Sequence, residues 1–503
     1  MPPPSVSSGA EAHAALRNAG WVVAQRGLQI AIGALFALLV PRLMGPQVFG
    51  QYALLTSVSL WFALLSGLGA VSMMTRSVPA MVARGDFIGL QKLVSGLVTL
   101  RFVTGFITGV CYLGLTTIWL RDIDLGALAF MAAAVFIRTP SNVCFALFLG
   151  LNQAGRWGMG ELLRRSLTLV FVVLGFGVAG LRGACAGWFA ANAVVLVIGL
   201  WMGRDHIRWS AMRPDRRFMT PFLRTGAYFA GANILLTISQ RTGESLVHLT
   251  THDFTQVGYF GVAYGMFAAG TQALWHVAVA FAPLLIVWNE RGETATSAAW
   301  TERLLAWLTV AAMTGVIAVV FIGETAVTWL LGPEFLPAAS SFVPLSIAFL
   351  AVAVSSVGRL QTLVADRPGV SATAAGLELA TFWISGWLLA SGAGSVGACV
   401  AVLVGATMNA GYLAWGLRRD LPYSHKPALH AALLGLLVLP LAWFAGSWLF
   451  ELAVCGFALA VYTGLLLGTR VVTIAELAGL VRSLRVGRGL KTSAAVDVDT
   501  AAD

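Results

Sequence analysis

The chain has 503 residues, 58% of them hydrophobic and only 11% charged, with a mean hydropathy of +0.82. An ordinary soluble domain carries about 25% charged residues and cannot bury so much apolar surface, so composition excludes a soluble globular protein and points to a polytopic membrane protein. The net charge of +10 does not indicate a nucleic-acid partner, because the Lys and Arg residues sit in short loops between apolar spans, where they set orientation.

In chain order, the proline-rich start "MPPPSVSSGAEAHAAL" lacks a basic n-region, so it reads as a disordered lead-in over 1–15 and not as a cleavable signal. Fourteen apolar stretches of about 20 residues or more follow. They lie near 16–40, 49–74, 94–120, 125–149, 160–180, 183–203, 220–248, 256–288, 301–322, 340–364, 370–391, 394–416, 428–448 and 450–470. The loops after even-numbered spans are rich in Arg and Lys, from Arg76 and Arg84 through Arg216 and Arg217 to Arg418, Arg419 and Lys426. The loops after odd-numbered spans hold Arg42, Arg121 and Arg182 against Asp122, Asp124, Asp253, Glu324, Glu334 and Glu451. Positive charge marks the inner side, so even loops and both termini are expected in the cytoplasm. The basic loop at 204–219 is the longest connection, and the tail at 471–503 has no reason to fold. No soluble domain is hidden in the chain.

A weak internal repeat runs at an offset of 208. It sets "PQVFGQYALLTS" (46–57) on "FTQVGYFGVAYG" (254–265), so that Gly50 falls on Gly258 and Tyr52 on Phe260. Both segments lead into spans of the same orientation. The expected architecture is all-α: two parallel lobes of six helices, 16–203 and 220–416, plus a C-terminal pair at 428–470. Transporters built from repeats hold substrate near the midplane between them.

Charge inside the spans carries the functional signal. In the seventh, Asn233, Thr237, Gln240, Arg241, Glu244 and His248 fall within an arc of about 100° on a helix. Arg241 and Glu244, three apart, can pair. In the first span Gln25 and Gln29 share a face with Arg26 beside them. Arg101, Arg138, Glu161, Arg164, Arg165, Arg359 and Glu378 are further intramembrane charges. Arginine outnumbers acid, so a cavity they lined would be electropositive and suited to a phosphorylated substrate. Against that, Arg164, Arg165 and Arg359 stand toward cytoplasmic ends and can snorkel outward. Glu244 is a candidate for a coupling ion. His276, with Gln272 one turn earlier, is a candidate proton relay or a packing histidine. Candidate substrate residues are therefore Gln25, Arg26, Gln29, Arg101, Arg138, Asn233, Thr237, Gln240, Arg241 and Glu244.

No GxSxG, HExxH, GxxxxGK[ST] or Asp-rich metal motif occurs, so neither an enzyme nor a bound cofactor or metal is expected. The five cysteines stand in apolar stretches without a CxxC pair and read as small packing residues.

"LLVPRLMGPQVFGQYALLTSVSLWFALLSGLGAVSMMTRSVPAM" (38–81) resembles the first loop and second span of the Wzx-type polysaccharide flippases, of the MOP exporter superfamily that also holds the MurJ flippases and the MATE exporters. Gly45 and Pro46 precede Gly50 and Tyr52 as in that group, and Gly67 and Gly69 match its Gly-x-Gly. "LLGPEFLPAASSFVPLSIAFL" (330–350) and "TQVGYFGVAYGM" (255–266) resemble its segments around spans ten and eight. The resemblance implies alternating access in the bacterial inner membrane. It implies an undecaprenyl-pyrophosphate-linked oligosaccharide as substrate, for exopolysaccharide or O-antigen assembly, and a lipid-tail groove beside spans thirteen and fourteen. Membrane lipids and a polysaccharide polymerase or co-polymerase are implied partners, with the transporter a monomer. Many relatives have an Asp before the arginine late in span seven; here Gln240 precedes Arg241, so only Arg241 is carried over, as a cavity residue. A lipid II flippase and a MATE-type drug antiporter are the alternatives.

Overall fold

The computed structural model describes residues 9–66, 70–207, 242–418, 423–444 and 448–469. Among them every regular element is helical. The helices are α1 (Gly9–Leu65), α2 (Ala70–Ala83), α3 (Phe87–Trp119), α4 (Leu125–Gly150), α5 (Ala154–Met202), α6 (Gly243–Thr251), α7 (Phe254–Ala280), α8 (Ala282–Glu290), α9 (Thr294–Leu331), α10 (Ala339–Val364), α11 (Pro368–Leu417), α12 (Lys426–Val438) and α13 (Trp448–Gly468). Local chemistry sets several boundaries. Asp86 accepts from the Gly89 amide at 2.8 Å to cap α3, and Asp124 accepts from Ala127 at 3.1 Å to cap α4. Pro368 opens α11, and Pro283 near the start of α8 divides the eighth span into two helices.

Nine segments among the described residues are long and apolar enough to cross a bilayer. Three of these are too long for one crossing and contain a glycine that leaves helical geometry: Gly45 in α1, Gly180 in α5 and Gly394 in α11. Splitting them turns nine crossings into twelve. The shorter apolar stretch Lys426–Ala442 occupies the place of span thirteen, and most of span seven lies outside the described residues.

The breaks follow the repeat. Gly180 has φ 55° and ψ −138°; Gly394, 214 positions later, has φ 55° and ψ −131°. Both angles are in a region open to glycine alone. A Cβ on Gly183 would lie 1.9 Å from the Gly175 carbonyl oxygen, and one on Gly397 would lie 2.1 Å from that of Leu389. Both pairs are also 214 apart. The same hairpin is thus built twice, and the sequence pattern shows none of it beyond the glycines.

The chain forms two compact units. The first takes Met1–Ala269, Ala326–Leu345 and Ala372–Asn409; the second takes Gly270–Thr325, Ser346–Ser371 and Ala410–Asp503. In the first, α3, α4 and α5 pack around Leu97, Tyr112, Met131, Val135 and Cys185, and Tyr112 donates to the Leu55 carbonyl at 3.2 Å. In the second, Met313, Ile317 and Phe321 of α9 pack with Ala431 of α12 and Cys455, Ala458 and Tyr462 of α13. There Tyr462 donates to the Ala431 carbonyl at 3.1 Å, and Thr325 hydrogen-bonds Glu451.

Within the first unit, α1 crosses α7 at two glycines. A Cβ on Gly50 would lie 1.8 Å from the Phe254 carbonyl oxygen, and one on Gly258 would lie 2.0 Å from that of Pro46. Gly50 and Gly258, and likewise Pro46 and Phe254, are 208 apart, so the crossing joins equivalent points of the two repeats. Small residues let membrane helices approach this closely. Gly50→Ala and Gly258→Ala should each destabilise the folded protein by about 1–3 kcal/mol through overpacking against backbone, read as a lower unfolding midpoint in detergent. Gly265→Ala, where a Cβ meets open space, should leave the midpoint unchanged.

Candidate functional site

The first unit gathers intramembrane charge where α1, α4 and α5 meet. Gln25 donates from Nε2 to the Gly155 carbonyl at 3.0 Å, and Gln29 donates to that of Gly158 at 3.3 Å. These glycines leave room for α1 on α5: a Cβ on Gly158 would lie 2.1 Å from the Gln25 Oε1. Within the next two turns of α5, the run "ELLRR" places Glu161, Arg164 and Arg165 on one face by its i, i+3, i+4 spacing. Arg165 Nε donates to Glu161 Oε1 at 3.2 Å, and Arg164 Nη1 stands 3.7 Å from Glu161 Oε2. Arg165 Nη1 also reaches the Gln29 carbonyl at 3.5 Å. Arg164 Nη2 donates to Ser141 Oγ of α4 at 3.0 Å. Arg138, one turn before Ser141, holds its guanidinium 5.8 Å from the Trp188 ring centre, a cation–π distance, and acts electrostatically on Glu161 along with Arg164 and Arg165. Arg164 and Arg165 therefore flank one carboxylate, and Arg138 acts on it from α4.

A second polar locus lies toward the predicted outer ends of the same unit. Glu244, in the first turn of α6, is 8% exposed and accepts from Ser57 Oγ of α1 at 3.1 Å. One turn on, His248 stacks on Phe254 with ring centres 4.6 Å apart and meets Trp119 edge-on at 5.6 Å. Arg42 donates to the Trp329 and Leu330 carbonyls at 2.9 and 3.4 Å, which caps the C-terminus of α9 with a cation. Tyr259 donates to the Glu334 carbonyl at 3.2 Å, and the Gln256 side chain accepts from the Ser395 amide at 2.9 Å beside the Gly394 turn. The Ser57–Glu244 bond, Arg42 and the glycine crossing each join α1 to a later helix, and together form a seam.

The residues expected from sequence separate accordingly. Gln25, Gln29 and Arg138 come together in the α1–α4–α5 cluster. Glu244 belongs to the seam. Arg101 is 2% exposed within α3. His276 is exposed in the second unit, its Nδ1 2.5 Å from the carbonyl of Gln272 on its own helix. Arg26 is in α1 with its side chain outside the described residues, as are Asn233, Thr237, Gln240 and Arg241 altogether. Arg164, which snorkelling would send outward, is buried against Ser141 instead. Glu161, Arg164 and Arg165 were readable as a helical charge triplet; Ser141, Trp188 and Ser57 carry no sequence signal that separates them from ordinary span residues. A recess of about 550 Å³ between α4 and the two arms of α5 is lined by Phe130, Leu174, Val178 and Ala186 with Arg182, and holds none of the expected site residues.

No protein-family model and no curated protein matches the sequence. Solved structures do match the architecture. The lipid II flippase MurJ, in an inward closed conformation, superposes with a TM-score of 0.67 at 11% identity, covering 91% of this chain and 100% of its own. An inward-facing multidrug resistance MATE family transporter of the MOP superfamily gives 0.61 at 15% identity, covering 78% and 94%. The eukaryotic MATE transporter AtDTX14 gives 0.53 at 17%, covering 84% and 99%. The fold is the MOP-type fold. This chain is an all-helical, multi-span membrane protein of that architecture, as the motifs at 38–81, 255–266 and 330–350 led one to expect.

In the MOP-type fold of this chain, the Ser57–Glu244 bond ties a first-half helix to a second-half helix. Ser57→Ala leaves a buried carboxylate short of a donor and should cost about 1–3 kcal/mol, measured as a drop in unfolding midpoint. Glu244→Gln, which keeps an acceptor without the charge, should lose less.

Proposed function

We propose that this protein is a transporter of the bacterial inner membrane that moves an undecaprenyl-pyrophosphate-linked oligosaccharide from the inner to the outer leaflet, for exopolysaccharide or O-antigen assembly. The observation that carries the reading is the group of Arg138, Arg164 and Arg165 around Glu161, with Ser141, Gln25 and Gln29 adjoining. Arg164 and Arg165 share the single Glu161 carboxylate within a membrane span, where charged side chains are costly and mark functional sites. Guanidinium forks suit phosphate oxygens in number and direction. Glu161 is seven residues inside α5, about 10 Å along the helix from the α4–α5 loop. By the charge asymmetry of the loops that end is cytoplasmic, the side on which a lipid-linked unit is loaded.

The domain organisation proposed is two lobes, 16–203 and 220–416, that alternate access between the leaflets, with 428–470 as an added pair. The likeness to MurJ supports a flippase over a drug exporter, since it extends over 91% of this chain against 78% for the inward-facing MATE structure. Between the lipid-linked sugar and the lipid II readings, the motif resemblance at 38–81 favours the first.

The test is a deletion strain free of paralogues, in which a labelled lipid-linked repeat unit is followed to the periplasmic face. Arrival at the wild-type rate refutes the assignment, and rescue of a MurJ-depleted strain by this chain transfers it to lipid II. In the complemented strain, Arg138→Ala and Arg165→Ala should each lower polymer output about tenfold at equal protein level, the loss expected for one charged hydrogen bond to substrate. Unchanged output from both returns these arginines to packing.

A further inference from the structure

Arg164 and Arg165 do not fit the Glu161 carboxylate well. Arg165 makes a single hydrogen bond to Glu161 through Nε, not a two-pronged one, and Arg164 stands at 3.7 Å, an ion pair without a hydrogen bond. Arg164 is only 8% exposed, yet its Nε–H finds no acceptor among the described residues. An unmet donor on a buried cation is costly and is rarely left so without a ligand to receive it. Arg165 and Glu161, by contrast, are each well exposed on their side chains, at 44% and 38%. They can swing; Arg164, held by Ser141, cannot swing without breaking that bond.

We infer that the Glu161 carboxylate is the resting occupant of a diphosphate site, and that an incoming diphosphate displaces it from Arg164 and Arg165. The inference rests on the export reading for the identity of the diphosphate, but not for the displacement itself. A carboxylate brings two oxygens and one charge to the two guanidiniums. A diphosphate brings more of both, so it can pair Arg165 through its fork and offer an acceptor to the buried Arg164 Nε–H. The displaced carboxylate is on the exposed side of α5 and can turn away. Glu161 is then a specificity element: it keeps the arginines from binding monovalent anions, which offer no more than it does, and yields to a ligand of higher charge.

The experiment measures binding of inorganic pyrophosphate and of farnesyl diphosphate to the full-length protein in nanodiscs, by calorimetry. Glu161→Gln keeps the side-chain shape and removes the competing charge. If Glu161 fills the site in nine molecules of ten, its removal tightens apparent binding about tenfold. Glu161→Ala should tighten it too, which guards against a fold effect peculiar to one substitution. Arg165→Gln should weaken binding of both probes, and Arg182→Gln, beside Asp124 just after the Gly180 turn of α5, should change nothing. Acetate and phosphate monoanion should gain affinity in Glu161→Gln as well, narrowing the preference for diphosphate. Equal or weaker binding of both probes in both Glu161 variants overturns the inference and makes the carboxylate a structural counterion. Tightening of farnesyl diphosphate alone supports the site and assigns it to the lipid-linked form. Tightening of both, in a protein whose deletion leaves export unaffected, supports the site and refutes the export reading separately.

Discussion

A guanidinium at membrane depth persists only where its donors and charge are met, because the hydrocarbon offers neither water nor counterion. That constraint organises the first half of this chain. Arg42 ends on the last carbonyls of α9, Arg138 lies over the Trp188 ring, and Arg164 is tied to Ser141. Glu161 and Arg165 complete the set, and Gln25 and Gln29 bind the α5 carbonyls on either side. Apart from the Glu161 pairs, which lie within α5, these contacts cross between helices. The polar groups therefore fix how α1, α4 and α5 pack, which apolar side chains, free to slide against one another or against lipid, do less strictly.

A second constraint is steric and is met by glycine. The paired hairpins at Gly180 and Gly394 share a backbone conformation that only glycine adopts at ease, and each is closed by a second glycine whose Cβ would strike the opposite carbonyl. The α1–α7 crossing is built by the same means and joins Gly50 to its own repeat, Gly258. Where two copies of one motif meet at equivalent positions, a single sequence solution serves both sides of the contact. This explains why a repeat too weak to convince in sequence is plain in backbone geometry: side chains facing lipid are free to drift among apolar types, and the glycines in the turns and crossings are not.

Legibility follows the same division. Composition and loop charge sufficed for an all-helical membrane protein, and the glycine-centred motif of Gly45, Pro46, Gly50 and Tyr52 pointed to the fold, because these features arise from the bilayer and the backbone. The breaks at Gly45, Gly180 and Gly394 fall at the boundaries read between spans one and two, five and six, and eleven and twelve. The site was read in part. Periodicity found Gln25, Gln29 and Glu244, each on a polar face. It did not join Arg138 to Glu161, because that pairing is made by the packing of α4 on α5 and not by either helix alone. Ser57 and Ser141 are single hydroxyls whose importance lies wholly in what faces them.

The cluster and the seam stand on the two arms of α1, on either side of the Gly45 turn. Gln29 precedes the Gly45 turn by 16 residues, about 24 Å of helix, and Ser57 follows Gly50 by two turns. On the export reading, opening toward the outer leaflet would part Gly50 from Gly258. Parting them also breaks the Ser57–Glu244 bond, because Ser57 moves with Gly50 on one rigid helix. The Glu244 carboxylate is then left without that donor, and the penalty for an under-satisfied buried charge falls on the open seam. Any cation or proton that neutralises Glu244 removes the penalty. On the export reading, opening of the seam would be coupled to the charge state of Glu244, and loading to that of Glu161.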